Sequence, residues 1–167
     1  MKAFEEIYNL YHKDVYNFIL KLSGYQTDIS EELLQETFYQ AYISLHRFRG
    51  GCEMKTWLCQ IAKNTYYSFI RSKVKQNKII AAFSVREVYD DIADSLERKD
   101  QFLHIKTVIE SLDEMSRSIV QYRLYSELSY KEIASLLHMK ETTAKVTYYR
   151  AKVRIQQLLK EVYGYEI

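Results

Sequence analysis

The chain has 167 residues, of which 47% are apolar and 14% aromatic, so it can bury one medium-sized core or two small ones. It contains no proline and four glycines, which favours long helices over a sheet with many tight turns. No segment approaches 18 consecutive apolar residues, and the first residues are too polar for a secretory signal. This composition predicts a soluble, cytoplasmic protein and argues against a membrane-spanning one.

The net charge of +2 conceals a strongly uneven distribution along the chain. Residues 1–46 carry a net charge of −4, residues 47–79 carry +7, residues 80–115 carry −5, and residues 116–167 carry +4. Two basic segments separated by an acidic one predict that the protein contacts a polyanion at two places.

Three amphipathic helices are predicted in the first half of the chain. Apolar residues recur every three or four positions over residues 3–23, and Gly24 is expected to end that first helix. Asp28 or Ser30 is expected to cap the second helix, and the third is expected to begin near Thr56. We expect these three helices to pack against one another as a bundle.

The predicted fold class is all-α, with two small helical domains joined by an acidic linker. The first domain is expected to span residues 1–76, the linker residues 77–105, and the second domain residues 106–167. The linker is expected to be partly helical. Further helices are predicted over residues 102–112, 115–126, 130–137 and 141–163.

The segment LSYKEIASLLHMKETTAKVTYYRAK, residues 128–152, has the pattern of a helix-turn-helix. Ser129 and Glu132 have the spacing of a capping box, and residues 138–140 form the predicted turn. The second helix has an apolar inner face and an outer face of hydroxyl, basic, aromatic and methyl-bearing side chains. The outer face comprises Thr142, Lys145, Val146, Tyr149 and Arg150.

Such side chains read base edges and thymine methyl groups in the major groove. Nearby cations would meet phosphates, which position a protein without specifying sequence. These cations are Lys131, Lys140, Lys152 and Arg154. The alternative interpretation is an amphipathic helical hairpin with a solvated basic face.

Four stretches together resemble the extracytoplasmic-function (ECF) sigma factors of bacterial RNA polymerase, a group within the sigma-70 family. They are FEEIYNLYHKDVYNFILKL, EELLQETFYQAY, HRFRGGCEMKTWLCQIAKN and LSYKEIASLLHMKETTAKVTYYRAKVRI. The resemblance implies a region 2 domain that binds core polymerase and the minus-10 promoter element. It also implies a region 4 domain that reads the minus-35 element.

The resemblance also implies roles for individual residues. In the family, the segment that matches residues 28–38 docks on the β′ clamp helices, which would make Glu32, Gln35 and Glu36 the polymerase-binding residues. The minus-10 set would be Ser44, Phe48, Arg49, Lys55, Lys63, Asn64 and Arg71. The minus-35 set would be Thr142, Thr143, Lys145, Val146, Tyr149, Arg150 and Lys152.

The implied partners are core RNA polymerase, through its β′ clamp helices and β flap, promoter DNA, and an anti-sigma factor that could hold the protein at the membrane. No cofactor, metal or small-molecule substrate is expected. The sequence departs from the family pattern where His138 replaces the usual turn glycine, and histidine tolerates a left-handed backbone better than most residues.

Two other classes of protein are alternatives to this interpretation. A stand-alone helix-turn-helix regulator, with an N-terminal domain that senses a ligand or dimerises, explains the second basic segment but not the first. An enzyme is disfavoured because the sequence has no paired carboxylates in a suggestive loop, no phosphate-binding glycine loop and no nucleophile–base arrangement.

The segment CEMKTWLC, residues 52–59, holds both cysteines and the only tryptophan. Two cysteines without a nearby histidine supply too few ligands for a closed zinc site. We expect Cys59 to be a small buried apolar residue and Trp57 to pack against Phe38 or Tyr42, while a redox role for Cys52 stays open.

Overall fold

A computed structural model describes residues 2–80 and 96–165 of the chain, with side chains for residues 3–76 and 100–165. The described residues form seven α-helices and one short 3-10 helix, and they contain no strand. The helices are α1 (Lys2–Leu22), α2 (Thr27–Ser44), α3 (Met54–Ile80), α4 (Leu96–Glu110), α5 (Glu114–Tyr125), α6 (Tyr130–Leu136) and α7 (Glu141–Tyr163), and the 3-10 helix is Leu45–Arg47. The all-α prediction is confirmed.

Helices α1, α2 and α3 pack against one another as the first bundle. Val15 and Ile19 of α1 and Leu58 and Ala62 of α3 are fully buried in its core. Their spacings of four residues place each pair on one face of its helix, which is why the apolar pattern predicted the packing. Gly24 adopts a φ of +73°, a left-handed conformation that ends α1.

Helices α4 to α7 form the second domain, in which α7 packs on α4, α5 and α6. The predicted capping box at the start of α6 is present, because Ser129 accepts a hydrogen bond from the Glu132 backbone and Glu132 accepts one from the Ser129 backbone. His138 has a φ of 53°, so the turn of the helix-turn-helix uses the left-handed conformation expected at this position.

The prediction for the start of α2 was wrong. The helix begins at Thr27 after Gln26, and no side chain caps it. Ser30 is instead buried, donates a 2.7 Å hydrogen bond to the Gln26 carbonyl, and lies 2.9 Å from the Ser23 hydroxyl. Its hydroxyl is satisfied by the turn between α1 and α2, so it is unavailable for capping.

The predicted acidic linker, residues 77–105, is only partly described, since residues 81–95 lie outside the described ranges. On either side, α3 extends to Ile80 and α4 begins at Leu96. Among the described residues, no helix has the length and apolar character needed to cross a membrane.

The two domains contact each other directly. Phe18 of α1 and Tyr122 of α5 stack with their ring centroids 6.0 Å apart, and both side chains are buried. Tyr25, which follows α1, contacts Phe102 of α4 edge to face at 4.8 Å. Contacts between α3 and α6 bring the helix-turn-helix next to the start of α3.

Candidate nucleic-acid and polymerase interfaces

Helix α7 presents one face to solvent and buries the other. Ala144, Ala151 and Leu159 lie in the core of the second domain. All seven side chains of the predicted minus-35 set are exposed, namely Thr142, Thr143, Lys145, Val146, Tyr149, Arg150 and Lys152. Because they lie on the first three turns of one helix, they form a continuous surface of the kind that enters a major groove.

This exposed surface of α7 combines apolar and basic groups. Val146 is 49% exposed, Tyr149 51% and Val153 53%, and Arg150 lines the same shallow hollow as these three side chains. Exposed apolar side chains beside a cation match the thymine methyls and hydrogen-bonding edges that bases present in the major groove. Val153, which directly follows the last predicted residue, Lys152, adds a further apolar side chain to this surface.

A groove of about 890 Å³ lies between α2 and α3. The predicted minus-10 residues Ser44 and Asn64 both line it. The predicted polymerase-binding residues Glu32, Gln35 and Glu36 line it as well. The structure therefore brings part of the predicted minus-10 site and the whole predicted polymerase-binding site into a single groove, with Asn64 on the α3 side and the other four residues on the α2 side.

The other predicted minus-10 residues lie elsewhere. Phe48, which follows the 3-10 helix, packs on Trp57 in the first turn of α3 with ring centroids 5.0 Å apart. Trp57 therefore has Phe48 as its aromatic neighbour in place of the expected Phe38 or Tyr42. Phe38 and Tyr42 instead form edge-to-face contacts with Phe4 of α1. Arg49 and Arg71 are exposed.

The two lysines of the minus-10 set are engaged by protein groups. Lys55 forms a 3.4 Å ion pair with Asp14 of α1. Lys63 donates a 2.6 Å hydrogen bond to the hydroxyl of Ser118, which lies on α5 of the other domain. Burial, together with the nearby charge of Arg117, lowers the pKa of Lys63 below its usual range.

The sequence reading missed Tyr39, which lines the groove and is 59% exposed. It follows Glu32, Gln35 and Glu36 on the same helix face at spacings of three, one and three residues. That spacing was visible in the sequence. Aromatic side chains are enriched at protein-binding surfaces, which makes the exposed Tyr39 a candidate contact residue.

Both cysteines are free thiols in the structure. The expectation for Cys59 is confirmed, because its side chain is fully buried, and burial raises its pKa to about 12. Burial also raises the pKa of Cys52, which is only partly covered. No group of three or more potential metal ligands occurs within the ranges that the structure describes.

We predict that a thiol reagent at pH 8 labels Cys52 in the native protein and leaves Cys59 unmodified, because only the thiolate reacts and Cys59 is both buried and protonated. Mass spectrometry before and after addition of denaturant measures the number of labelled cysteines per chain. One adduct should be found on the native chain and two on the unfolded chain. Native labelling of both thiols at equal rates would contradict the buried position of Cys59.

Comparison with known proteins assigns the two domains. Residues 7–76 match the family model "Sigma-70 region 2", and residues 103–155 match "Sigma-70, region 4". These two regions in this order define a class of protein, the sigma factors.

Individual proteins resemble nearly the whole chain. The ECF RNA polymerase sigma factor SigM of Bacillus subtilis is 30% identical over 92% of this chain and 93% of its own. The RNA polymerase sigma factor YlaC of the same organism is 26% identical over 93% of this chain and 91% of its own.

Known structures agree with these sequence matches. The sigma factor RpoE of Bartonella quintana, solved in complex with the anti-sigma factor NepR, superimposes with a TM-score of 0.68 at 26% identity and covers 96% of this chain and 98% of its own. CnrH, solved in complex with the cytosolic domain of CnrY, shares the fold with a TM-score of 0.66 at 17% identity, covering 96% of this chain and 90% of its own.

The chain belongs to the extracytoplasmic-function sigma factors of the sigma-70 family. Its function is to recognise promoters as a subunit of RNA polymerase. The alternative of a stand-alone helix-turn-helix regulator is not favoured, because region 2 accounts for residues 7–76, which that alternative left unexplained.

Proposed function

We propose that this sigma factor reads the minus-35 element with α7, captures the minus-10 element around the loop before α3, and binds core polymerase through α2. The observation that carries the proposal is the division of α7 into a buried apolar face and an exposed face that holds all the predicted DNA-binding residues. We place the region 2 domain at residues 1–76, the linker at 77–105 and the region 4 domain at 106–167.

For the minus-35 element, we assign base contacts to Lys145, Val146, Tyr149 and Arg150, and positioning contacts to Thr142, Thr143 and Lys152. The side chains of the first group point outwards from the middle of the exposed surface, where a helix in the major groove approaches base edges. Hydroxyl and lysine side chains at its borders suit phosphate oxygens.

For the minus-10 element, we assign Asn64 and Ser44 to a base in the groove, and Phe48, which lies outside the groove against Trp57, to an apolar contact with the opened strand. Asn64 offers both a hydrogen-bond donor and an acceptor, and its side chain is exposed. Arg49, Lys55, Lys63 and Arg71 would then hold the phosphates of the opened strand. Opening the duplex costs a few kcal/mol, which contacts to a flipped base can offset.

For core polymerase, we assign Glu32, Gln35 and Glu36 to the β′ clamp helices, and we expect region 4 to meet the β flap. The three α2 side chains are exposed and share one helix face with Tyr39. This surface offers acceptors for basic groups of the polymerase and one aromatic side chain to bury between the two proteins.

The proposal includes an anti-sigma partner, since the structurally similar sigma factor RpoE was solved in complex with the anti-sigma factor NepR. It places the protein in the cytoplasm, with retention at the membrane only through such a partner. It assigns the chain no catalytic residue and no cofactor, because the chemistry of RNA synthesis belongs to the polymerase.

Transcription from a genomic promoter library with core polymerase tests the proposal. Adding the purified chain should produce transcripts with defined start sites, and mapping those sites should give the minus-35 and minus-10 sequences. Core polymerase alone is the control. If no start site depends on the added chain, the proposal is wrong.

A further inference from the structure

A series of four side chains connects α5 and α6 to the exposed surface of α7. Arg123 of α5 lies over the ring of Tyr130 at the start of α6, with 4.9 Å between the guanidinium Cζ and the ring centroid. The ring centroids of Tyr130 and Tyr148 are 5.6 Å apart, and those of Tyr148 and Tyr149 are 5.7 Å apart. The last member, Tyr149, belongs to the proposed minus-35 surface.

Both contacts between tyrosine rings have a favourable geometry. Tyr130 and Tyr148 meet at an interplanar angle of 61°, and Tyr148 and Tyr149 meet at 75°, so each pair is edge to face. In this arrangement the positive edge of one ring meets the negative face of the other. Because the attraction depends on the angle between the rings, it favours one orientation of each ring, which a contact between aliphatic side chains does not.

The contact between Tyr148 and Tyr149 joins two consecutive residues of one helix. Such residues point about 100° apart and do not normally face each other. Tyr148 is half-buried, at the border between the buried and exposed faces of α7, whereas Tyr149 is 51% exposed. Their ring contact therefore requires particular rotamers, and it selects among the few that a helix allows to Tyr149.

The other end of the series is held by the connection between α5 and α6. Arg123 Nη1 donates a 3.0 Å hydrogen bond to the carbonyl oxygen of Leu128, which fixes the guanidinium group. Tyr130 is half-buried and directly follows Ser129, the N-cap of α6. The ring of Tyr148 therefore packs against a neighbour whose position is set by two other helices.

The orientation of the Tyr149 ring matters because the proposed function assigns this residue to a base. Its side chain lines the shallow hollow of α7 together with Val146, Arg150 and Val153. An exposed tyrosine that moves freely loses rotamer freedom when it binds DNA, and this loss weakens binding. A ring that is oriented before binding avoids that loss and meets a base edge or thymine methyl at one defined place.

We propose that Tyr148 is a positioning residue for minus-35 recognition, which holds the ring of Tyr149 in its reading orientation and is itself supported by Tyr130. This inference rests on the proposed function, in which Tyr149 contacts a base. It adds that Tyr148 sets part of the base preference through Tyr149, without a base contact of its own.

The test compares Tyr148→Leu with Tyr148→Phe in the full-length chain, by fluorescence anisotropy on the mapped minus-35 duplex and its single-base variants. Leucine keeps an apolar side chain but has no ring, whereas phenylalanine keeps the ring. At the base pair where Tyr149→Ala relaxes the preference, Tyr148→Leu should reduce discrimination roughly 2- to 10-fold, the contribution of one aromatic pair. Tyr148→Phe should match the parent.

Tyr163→Leu is the matched control, because Tyr163 is also a half-buried ring of α7 and stacks on His104 with centroids 3.9 Å apart. It lies about four turns beyond Tyr149, or about 21 Å at about 1.5 Å per residue. This variant should keep the base preference of the parent, whatever its stability. The control separates a role in positioning from a general loss of packing.

Two further variants keep the proposal testable if Tyr148→Leu does not fold, which far-UV circular dichroism shows. Tyr130→Leu removes the support on the other side of Tyr148 and should relax the preference at the same base pair. Adding Tyr148→Phe or Tyr130→Leu to Tyr149→Ala should change discrimination at that base pair no further, because coupled residues are not additive.

Unchanged preference in folded Tyr148→Leu and Tyr130→Leu, with relaxed preference in Tyr149→Ala, would overturn the positioning role and leave the proposed function intact. Relaxed preference in Tyr148→Phe would also overturn it, because the hydroxyl group would then act directly. If Tyr149→Ala instead lowers affinity equally for every duplex, Tyr149 reads no base, and the inference falls with that assignment.

Discussion

Replacing Arg150 with alanine should weaken binding to the minus-35 duplex by about 1–3 kcal/mol, or roughly 5- to 150-fold, and relax the base preference at one position. The reason is geometric, because Arg150 is exposed in the middle of the α7 surface and its guanidinium can donate two parallel hydrogen bonds to one guanine. Fluorescence anisotropy on the mapped promoter and on its single-base variants measures both effects.

Lys160→Ala is the matched control for Arg150→Ala. Lys160 is exposed in the last turn of the same helix, so its replacement removes one positive charge from α7 outside the proposed reading surface. We expect the affinity of this variant for the minus-35 duplex to fall by less than 3-fold, with the base preference unchanged. If both variants lose affinity equally for every duplex, Arg150 contacts phosphate and does not read a base.

Replacing Phe18 with alanine should reduce the free energy of unfolding by about 3–5 kcal/mol, as expected for a fully buried aromatic side chain. Phe18 stacks on Tyr122, so the cavity would lie where the two domains meet. The variant should therefore lose stability and interdomain contact together. Urea denaturation followed by far-UV circular dichroism measures the change in stability.

Leu10→Ala is the control for Phe18→Ala, because Leu10 lies on the same helix and is 69% exposed. Its replacement should change stability by no more than about 0.5 kcal/mol. A small effect of Phe18→Ala would mean that Phe18 is not buried in solution, which would contradict both the core and the interdomain contact.

The helix-turn-helix was predictable in detail because local interactions specify it. The Ser129–Glu132 capping box involves residues three apart. His138 stands at the position of the usual turn glycine and adopts the left-handed conformation that this position requires. The two faces of α7 follow from the helical repeat alone. Each of these features depends on residues within a few positions of one another.

The site in the first domain was less predictable. Ser44 and Asn64 meet across a groove formed by two helices, and the sequence indicated both residues only through the family resemblance. The cap of α2 was wrongly predicted, because the hydroxyl of Ser30 bonds to groups in the preceding turn. Periodicity identifies a buried face but does not say which neighbouring segment covers it.

The sequence alone determined the all-α fold, the two basic segments and the exposed surface of α7, because helical periodicity and charge are local properties of the chain. Only the tertiary structure decided that Lys63 meets Ser118, 55 residues away, and that Tyr67 meets Gln121. No sequence pattern encodes such pairs, since they arise from the packing of one domain on another. The basic residues that the sequence marked for DNA are therefore divided by the fold into an exposed set on α7 and a partly covered set on α3.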